Sequence, residues 1–181
     1  MRGMRFTWLN KRLGTATAVI AAAAGIGVLT PAPAQADADA VVYWTFRNVW
    51  VSSGEKCLTS GQINSGHSRV FLATCNGSNF QQWDWRGSDP DSSIPYLQLQ
   101  NKATGLCLAT DNLSYSDNTV WTSRCEWRDG MRFHYDGDDG SLDAFLKHPN
   151  TQLTGRDSGA VYGFAPSQVS DHRDVWVGAH S

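Results

Sequence analysis

No stretch of this chain keeps a helical hydrophobic period, with caps, for three turns, which excludes a helical core. No apolar run reaches the roughly 20 residues that a membrane-spanning helix needs. A Gly-x-Ser-x-Gly nucleophile elbow is absent, and no pair of carboxylates stands out for glycoside hydrolysis, so no enzyme activity is expected. The histidines at 67, 134, 148, 172 and 180 are scattered without metal-ligand spacing, so neither a metal nor a cofactor is expected. The acidic run from Asp136 to Asp143 lacks both the spacing and the closing Glu of a calcium loop, and reads as a turn. Charge of one sign is also missing at each end: no acid precedes Asp37, and no basic cluster follows it.

What is present begins with a leader. Arg2, Arg5, Lys11 and Arg12 precede the apolar stretch Thr15–Leu29, and Ala34-Gln35-Ala36 offers a small-x-small cleavage site. Residues 1–36 therefore read as a secretory signal peptide, with the mature chain at 37–181 and an extracellular destination. Removing the leader takes away four bases and no acids, leaving 11 Lys+Arg against 17 Asp+Glu, a net charge of −6. That balance argues against nucleic acid and against an anionic membrane surface as partners.

The mature chain repeats itself. Cys57 and Cys75 are 18 residues apart, Cys107 and Cys125 are 18 apart, and the second pair follows the first by 50. Four cysteines allow three connectivities. One local bridge per copy, Cys57–Cys75 and Cys107–Cys125, gives each copy the same geometry, and an oxidising compartment lets such bridges persist. Short runs rich in β-branched and aromatic residues recur at roughly ten-residue spacing: Val41–Phe46, Val70–Leu72, Tyr96–Gln100 and Val120–Thr122. Gly, Asn, Asp and Ser clusters separate them, which is the pattern of an all-β barrel or sandwich. A third copy is expected where Phe145–Lys147 opens like Leu97–Leu99 and Val161–Pro166 matches Val120–Cys125, with Gln152 and Pro166 in the two cysteine positions. In this alignment Trp176 stands in register with Trp85 and Tyr135, and the three units span about 41–90, 91–140 and 141–181 of a single domain.

The triplet Gln81-Gln82-Trp83, eight residues beyond Cys75 at its tryptophan, together with Cys57-Leu58 and Cys75-Asn76-Gly77-Ser78, resembles the ricin-type β-trefoil lectin module. Copies two and three carry Met131-Arg132-Phe133 and His172-Arg173-Asp174 in its place. The resemblance implies an all-β trefoil of three units, with disulfides in the first two and carbohydrate binding without catalysis. Gln81, Trp83, Phe133 and Trp176 read as residues of the fold, filling a shared core and satisfying buried backbone groups.

Sugar pockets need an aromatic face for the C–H side of a ring and a carboxylate or amide for its hydroxyls. The resembled family places an Asp two residues after the first cysteine, where this chain has Thr59, Ala109 and Thr154. Its stacking aromatic, two residues before the second cysteine, corresponds to Ala73, Ser123 and Phe164. The Asn before its Gln-x-Trp corresponds to Phe80, Gly130 and Asp171. Unit one is thus expected to be blind. Unit three offers Phe164, Asp171 and Asp157, and unit two a non-standard set of Asp111, Asn112, Tyr115, Asn118 and Trp121. The partner so implied is a glycan or polysaccharide. The second class of partner is a secreted protein, bound or inhibited through an exposed loop such as Gly87–Pro95 or Trp127–Gly130. Replacing Cys57 by Ser is expected to lower the unfolding free energy by about 2–5 kcal/mol in denaturant titration, the usual worth of a bridge in a small secreted domain.

Overall fold

The computed structural model describes residues 41–50, 54–87, 96–111, 117–144, 151–165 and 172–180. These carry twelve strands: β1 (Trp44–Asn48), β2 (Lys56–Ser60), β3 (Ser68–Thr74), β4 (Trp83–Arg86), β5 (Gln98–Asn101), β6 (Cys107–Thr110), β7 (Asn118–Ser123), β8 (Phe133–Asp136), β9 (Ser141–Ala144), β10 (Thr151–Gly155), β11 (Val161–Phe164) and β12 (Trp176–His180). One 3₁₀ turn, Asn79–Gln81, leads into β4. The described residues are otherwise strand, turn and loop, an all-β chain.

Six strands close on themselves. β4 pairs with β1 and with β5, β8 with β9, and β12 with β1. The remaining seams are a bridge between Leu97 and Phe133 and a hydrogen bond from Trp176 N to Gly140 O at 2.8 Å. Closure leaves this ring without an exposed edge. The other six strands form the hairpins β2–β3, β6–β7 and β10–β11, which also meet in a cycle. Arg69 faces Trp121, Thr119 faces Tyr162, and a bridge joins Ala160 to Phe71. The disulfides Cys57–Cys75 and Cys107–Cys125 link the two strands of the first two hairpins, with Cα atoms 5.0 and 4.9 Å apart.

The core follows the pleat. Strand side chains alternate between faces, and β3 shows it in its burial: Ser68, Val70 and Leu72 are inside, while Arg69, Phe71 and Ala73 face outward. Twelve of the fourteen residues in the main apolar cluster fall into four triplets set by pairing register: Phe46, Leu99 and Leu142; Leu58, Leu108 and Leu153; Val70, Val120 and Val161; Trp83, Phe133 and Trp176. Trp83 Nε1 donates to Leu58 O at 3.1 Å, and Trp176 Nε1 makes the same bond to Leu153 O at 2.9 Å. Each large indole is therefore buried without leaving its one donor unpaired.

That bond corrects the register expected for the third copy. Trp176 stands where Trp83 and Phe133 stand, not where Trp85 and Tyr135 do. A second pair of bonds agrees: the Asn101 side-chain amide donates to Phe80 O and Gln82 O, and that of Asn48 to Arg173 O and Val175 O. The third counterpart of Gln81-Gln82-Trp83 is hence Asp174-Val175-Trp176, and Arg173 rather than Asp171 takes the place of Phe80. Gly178 occupies the position of Trp85 and Tyr135. A Cβ there would lie 2.7 Å from Cε1 of Tyr135, whose ring fills the space a third aromatic would need. Tyr135 also receives a bond from Gly178 N at 2.8 Å and donates to Trp176 O at 3.2 Å. Opposite the small Gly178 stands the large Phe46, whereas Trp85 and Tyr135 face Leu99 and Leu142.

Two further expectations shift. The opening strand of the third copy is Ser141–Ala144, reached through a turn in which Gly140 N donates to Asp136 O. The side chains of Asp136 and Asp139 there accept from the backbone N–H groups of Asp138 and Ser141. The expected Phe145–Lys147 lies outside the described residues. The first strand begins at Trp44, where pairing with His180 begins, and leaves Val41 and Val42 exposed.

Where the third copy lacks its first cysteine, Gln152 hydrogen-bonds Asp143 on the neighbouring strand. Burial pushes the Asp143 carboxyl above its ordinary value. Hydrogen bonds from Gln152 and Ser141 oppose this, Asp139 adds to the rise, and His134 across the hairpin opposes it. The native state thus holds this proton more tightly than the unfolded chain, so ionised Asp143 costs stability at neutral pH, and the cost fades as pH falls through the raised value. Measured against Asp143→Asn by denaturation over a pH series, the wild-type chain is expected to gain relative stability on acidification. A difference that does not move with pH would overturn this.

Candidate functional site

The outward faces of β3 and β7 meet around a cleft of about 950 Å³. Local chemistry builds its entrance. Between β2 and β3 the chain turns at Asn64–His67, with Ser65 at φ 52° and Gly66 at φ 80°. Two positive φ values at the centre are those of a type I′ hairpin turn. The turn is closed by Asn64 N to His67 O at 2.7 Å and His67 N to Asn64 O at 3.1 Å. Beneath it, the buried hydroxyls of Ser60, Ser68 and Thr122 form a chain at 3.1 and 3.3 Å that joins the first hairpin to the second. This junction holds Arg69 directly beside Trp121.

The buried Thr59 and Gln81 lie at the back of the cleft, and both are committed to the fold. Gln81 Nε2 donates to Thr74 O at 2.9 Å and to Thr59 Oγ1 at 3.2 Å, and its Oε1 accepts from Asn76 N at 2.8 Å. Thr59 Oγ1 donates in turn to Cys57 O. Half-buried Phe71, Phe80 and Trp121 supply the apolar surface, and Gln62, Asn64, His67, Arg69, Asn76 and Thr119 are the exposed polar groups. The Arg69 guanidinium lies 4.7 Å from the centre of the Phe71 ring. Small Ala73 stands at the position expected to carry a stacking aromatic and lines the cleft.

Of the candidate sugar-binding residues named from sequence, Trp121 lines this cleft. Asp111 is half-buried and tied to its own loop: its carboxylate accepts from Thr119 N at 3.2 Å, and its N–H donates to Thr119 O at 3.3 Å. Asn118 is buried, packed near Gly163. Asn112, Tyr115 and Asp171 lie outside the described residues. In the third copy Phe164 is half-buried, and Asp157 is exposed in the Arg156–Ala160 turn. The Arg156 guanidinium sits 4.4 Å from the Tyr162 ring centre and 5.5 Å from that of Phe164, and is held by an ion pair with Asp117. An arginine therefore lies where a sugar would stack on Phe164. Among the described residues no group of three His, Cys, Asp or Glu is placed to hold a metal, and no helix is long and apolar enough to cross a membrane.

Sequence reasoning passed over Phe71, Tyr162 and Arg69 as site residues, and placed Arg156 only in the loop near Phe164. A signal for two of them was present: Phe71, Trp121 and Tyr162 each stand four residues before Cys75, Cys125 and Pro166. Register confirms their equivalence, since they face Thr59, Ala109 and Thr154.

No family model matches the chain, and no curated protein matches it in sequence. Solved structures do match in fold. A designed three-fold symmetric protein, ThreeFoil, is 19% identical with a TM-score of 0.58, covering 76% of this chain and 97% of its own. The β-trefoil lectin of the Vibrio vulnificus hemolysin/cytolysin, solved with N-acetyl-D-lactosamine, is 16% identical with a TM-score of 0.57, covering 77% and 95%. A ricin B-like lectin from Macrolepiota procera, in complex with lactose, is 12% identical with a TM-score of 0.56, covering 76% and 93%. The fold is a β-trefoil of the kind seen in ricin B-like lectins.

The commitment of Gln81 to three bonds predicts a structural phenotype. Gln81→Leu is expected to lower the unfolding free energy by about 1–3 kcal/mol, the cost of stranding buried backbone groups, as read by denaturant titration.

Proposed function

We propose that the chain is a secreted, non-catalytic carbohydrate-binding domain: a signal peptide at 1–36, then one trefoil over 37–181 built of three units at about 41–90, 91–140 and 141–181. Its partner is a glycan or polysaccharide, and it needs no cofactor. The observation that carries this reading is the cleft between β3 and β7, where Phe71, Phe80 and Trp121 surround a space bordered by amides. An aromatic face for the C–H side of a sugar and side-chain amides for its hydroxyls are what carbohydrate recognition requires. The disulfides suit an oxidising, extracellular setting, and two of the structural neighbours were solved with sugars bound.

Trp121 is the residue of the sequence-based set that we place at the centre of this site. The preceding segment with Asp111, Asn112 and Tyr115, and Asn118 at the start of β7, are proposed to flank the ligand. Phe164, Asp157 and Asp171 form a second candidate surface in unit three, which opens to a sugar only if Arg156 swings off the ring.

Exposed Trp127, 44% accessible, favours one other reading, a protein-binding trefoil that acts through the Trp127–Gly130 loop. Binding to a glycan array, with the disulfides intact, tests the two. Carbohydrate binding predicts displacement by free sugar and single-site affinity in the mM to μM range, about −4 to −8 kcal/mol. Trp121→Ala is expected to weaken it at least tenfold, whereas Trp127→Ala leaves it unchanged. A blank array on folded protein would overturn the carbohydrate reading.

A further inference from the structure

We infer that the cleft takes an acidic saccharide, a sugar bearing a carboxylate or a sulfate ester, and that Arg69 is the group that reads the charge. The inference rests on the carbohydrate reading above and specifies its ligand. Three observations carry it.

The first is the sign of the cleft. Acids outnumber Lys and Arg in this chain, 17 to 15, yet no Asp or Glu lines the cleft. The charged and titratable side chains there are Arg69 and His67, both exposed. A concave site walled by low-dielectric aromatics and lined by charge of one sign concentrates counter-charge.

The second is the state of Arg69. Five arginines among the described residues, Arg47, Arg86, Arg128, Arg132 and Arg156, are paired with carboxylates. Arg69 has no carboxylate partner among the described residues, and its guanidinium lies over Phe71. Stacking occupies one face of the guanidinium and leaves its in-plane N–H donors at the edge for an anion. Backbone pairing fixes where the side chain emerges: Gly61 N donates to Arg69 O at 2.8 Å, and Arg69 is set against Trp121. A guanidinium so held has less freedom to lose when it binds, and its fork matches carboxylate and sulfate oxygens.

The third is the chemistry at the back. Neutral sugars are held largely through hydroxyls that donate to a carboxylate acceptor. Here no Asp or Glu lines the cleft, the Gln81 oxygen already accepts from Asn76 N, and Thr59 and Gln81 spend their donors on the fold, so no carboxylate acceptor faces the ligand. At the mouth Arg69 offers donors alone, and the amide oxygens of Asn64 and Asn76 already accept from Ser65 Oγ and Ser78 N, so these two turn N–H groups to a ligand, beside exposed Gln62 and Thr119, which offer donor and acceptor alike. Such a set favours a ligand that brings its own negative charge.

The test is calorimetric titration of the disulfide-bonded chain with matched ligands: a uronate disaccharide against its methyl ester, and a sulfated disaccharide against its unsulfated parent. The acidic member is expected to bind roughly five- to tenfold tighter, the order of a single exposed, bidentate charge pair. The preference shrinks as salt is added. The pair that shows the larger preference identifies carboxylate or sulfate as the charge read. Arg69→Ala brings the acidic member down to the affinity of the neutral one, Arg69→Lys retains part of the gap, and Arg124→Ala, an exposed arginine outside the cleft, retains all of it. Equal affinities within both pairs for the wild-type chain, or a gap that survives Arg69→Ala, would overturn the acidic specificity and leave carbohydrate binding standing. If no member of either pair binds, both readings fall together.

Discussion

Burial of one large aromatic per unit, with its polar atom satisfied, is the constraint on which the rest depends. Trp83 and Trp176 sit in the closed ring of strands and donate to Leu58 and Leu153. Each indole therefore ties a ring strand to the hairpin that covers it. The leucines, valines and ring aromatics stack in triplets because closure brings three equivalent positions to one level. Phe133 completes the aromatic level with a smaller, fully buried ring that has no polar atom to satisfy.

The departures from symmetry have local causes. Gly178 is small because Tyr135 has already filled its space, and Phe46 is large because Gly178 is small. Gln152 and Asp143 share a hydrogen bond where the other two copies carry a disulfide on the equivalent strand, which replaces a covalent constraint by a partly buried carboxylate. On the outside, the same aromatic position is used in three ways. Phe71 carries Arg69, Tyr162 carries Arg156, and Trp121 packs against the second disulfide region while still reaching the cleft. The arginines separate the copies most sharply. Arg156 is neutralised by Asp117, while Arg69 stands at an acid-free cleft.

Legibility in the sequence followed the range of the interactions. The cysteine pairs are close along the chain, so their spacing exposes both bridges. Gln81 and Trp83 lie in a compact motif beside Cys75, and their bonds reach only to the adjacent hairpin. The third copy was harder because it has no cysteine to anchor the alignment. Judged by spacing from Pro166, Trp176 slides two residues out of place, and its bond to Leu153 together with the bonds of the Asn48 amide restores it. The aromatic repeat at Phe71, Trp121 and Tyr162 was written in the chain, but nothing local distinguishes an outward aromatic that lines a cleft from one that an arginine covers.

By itself the sequence determined the β class, the two disulfides, the turn within Asp136–Asp143 and the core role of the Gln81–Trp83 motif, because alternation, loop length and turn chemistry act over a few residues. The tertiary structure alone decided which surface is open. The cleft is made from the first hairpin and from Trp121 of the second, brought together by the β3–β7 pairing. That pairing follows from the cyclic closure of three hairpins, a long-range condition that no spacing within one hairpin encodes. The same closure sets Asp117 against Arg156 and leaves Arg69 with the Phe71 ring, and so decides which arginine keeps its charge available.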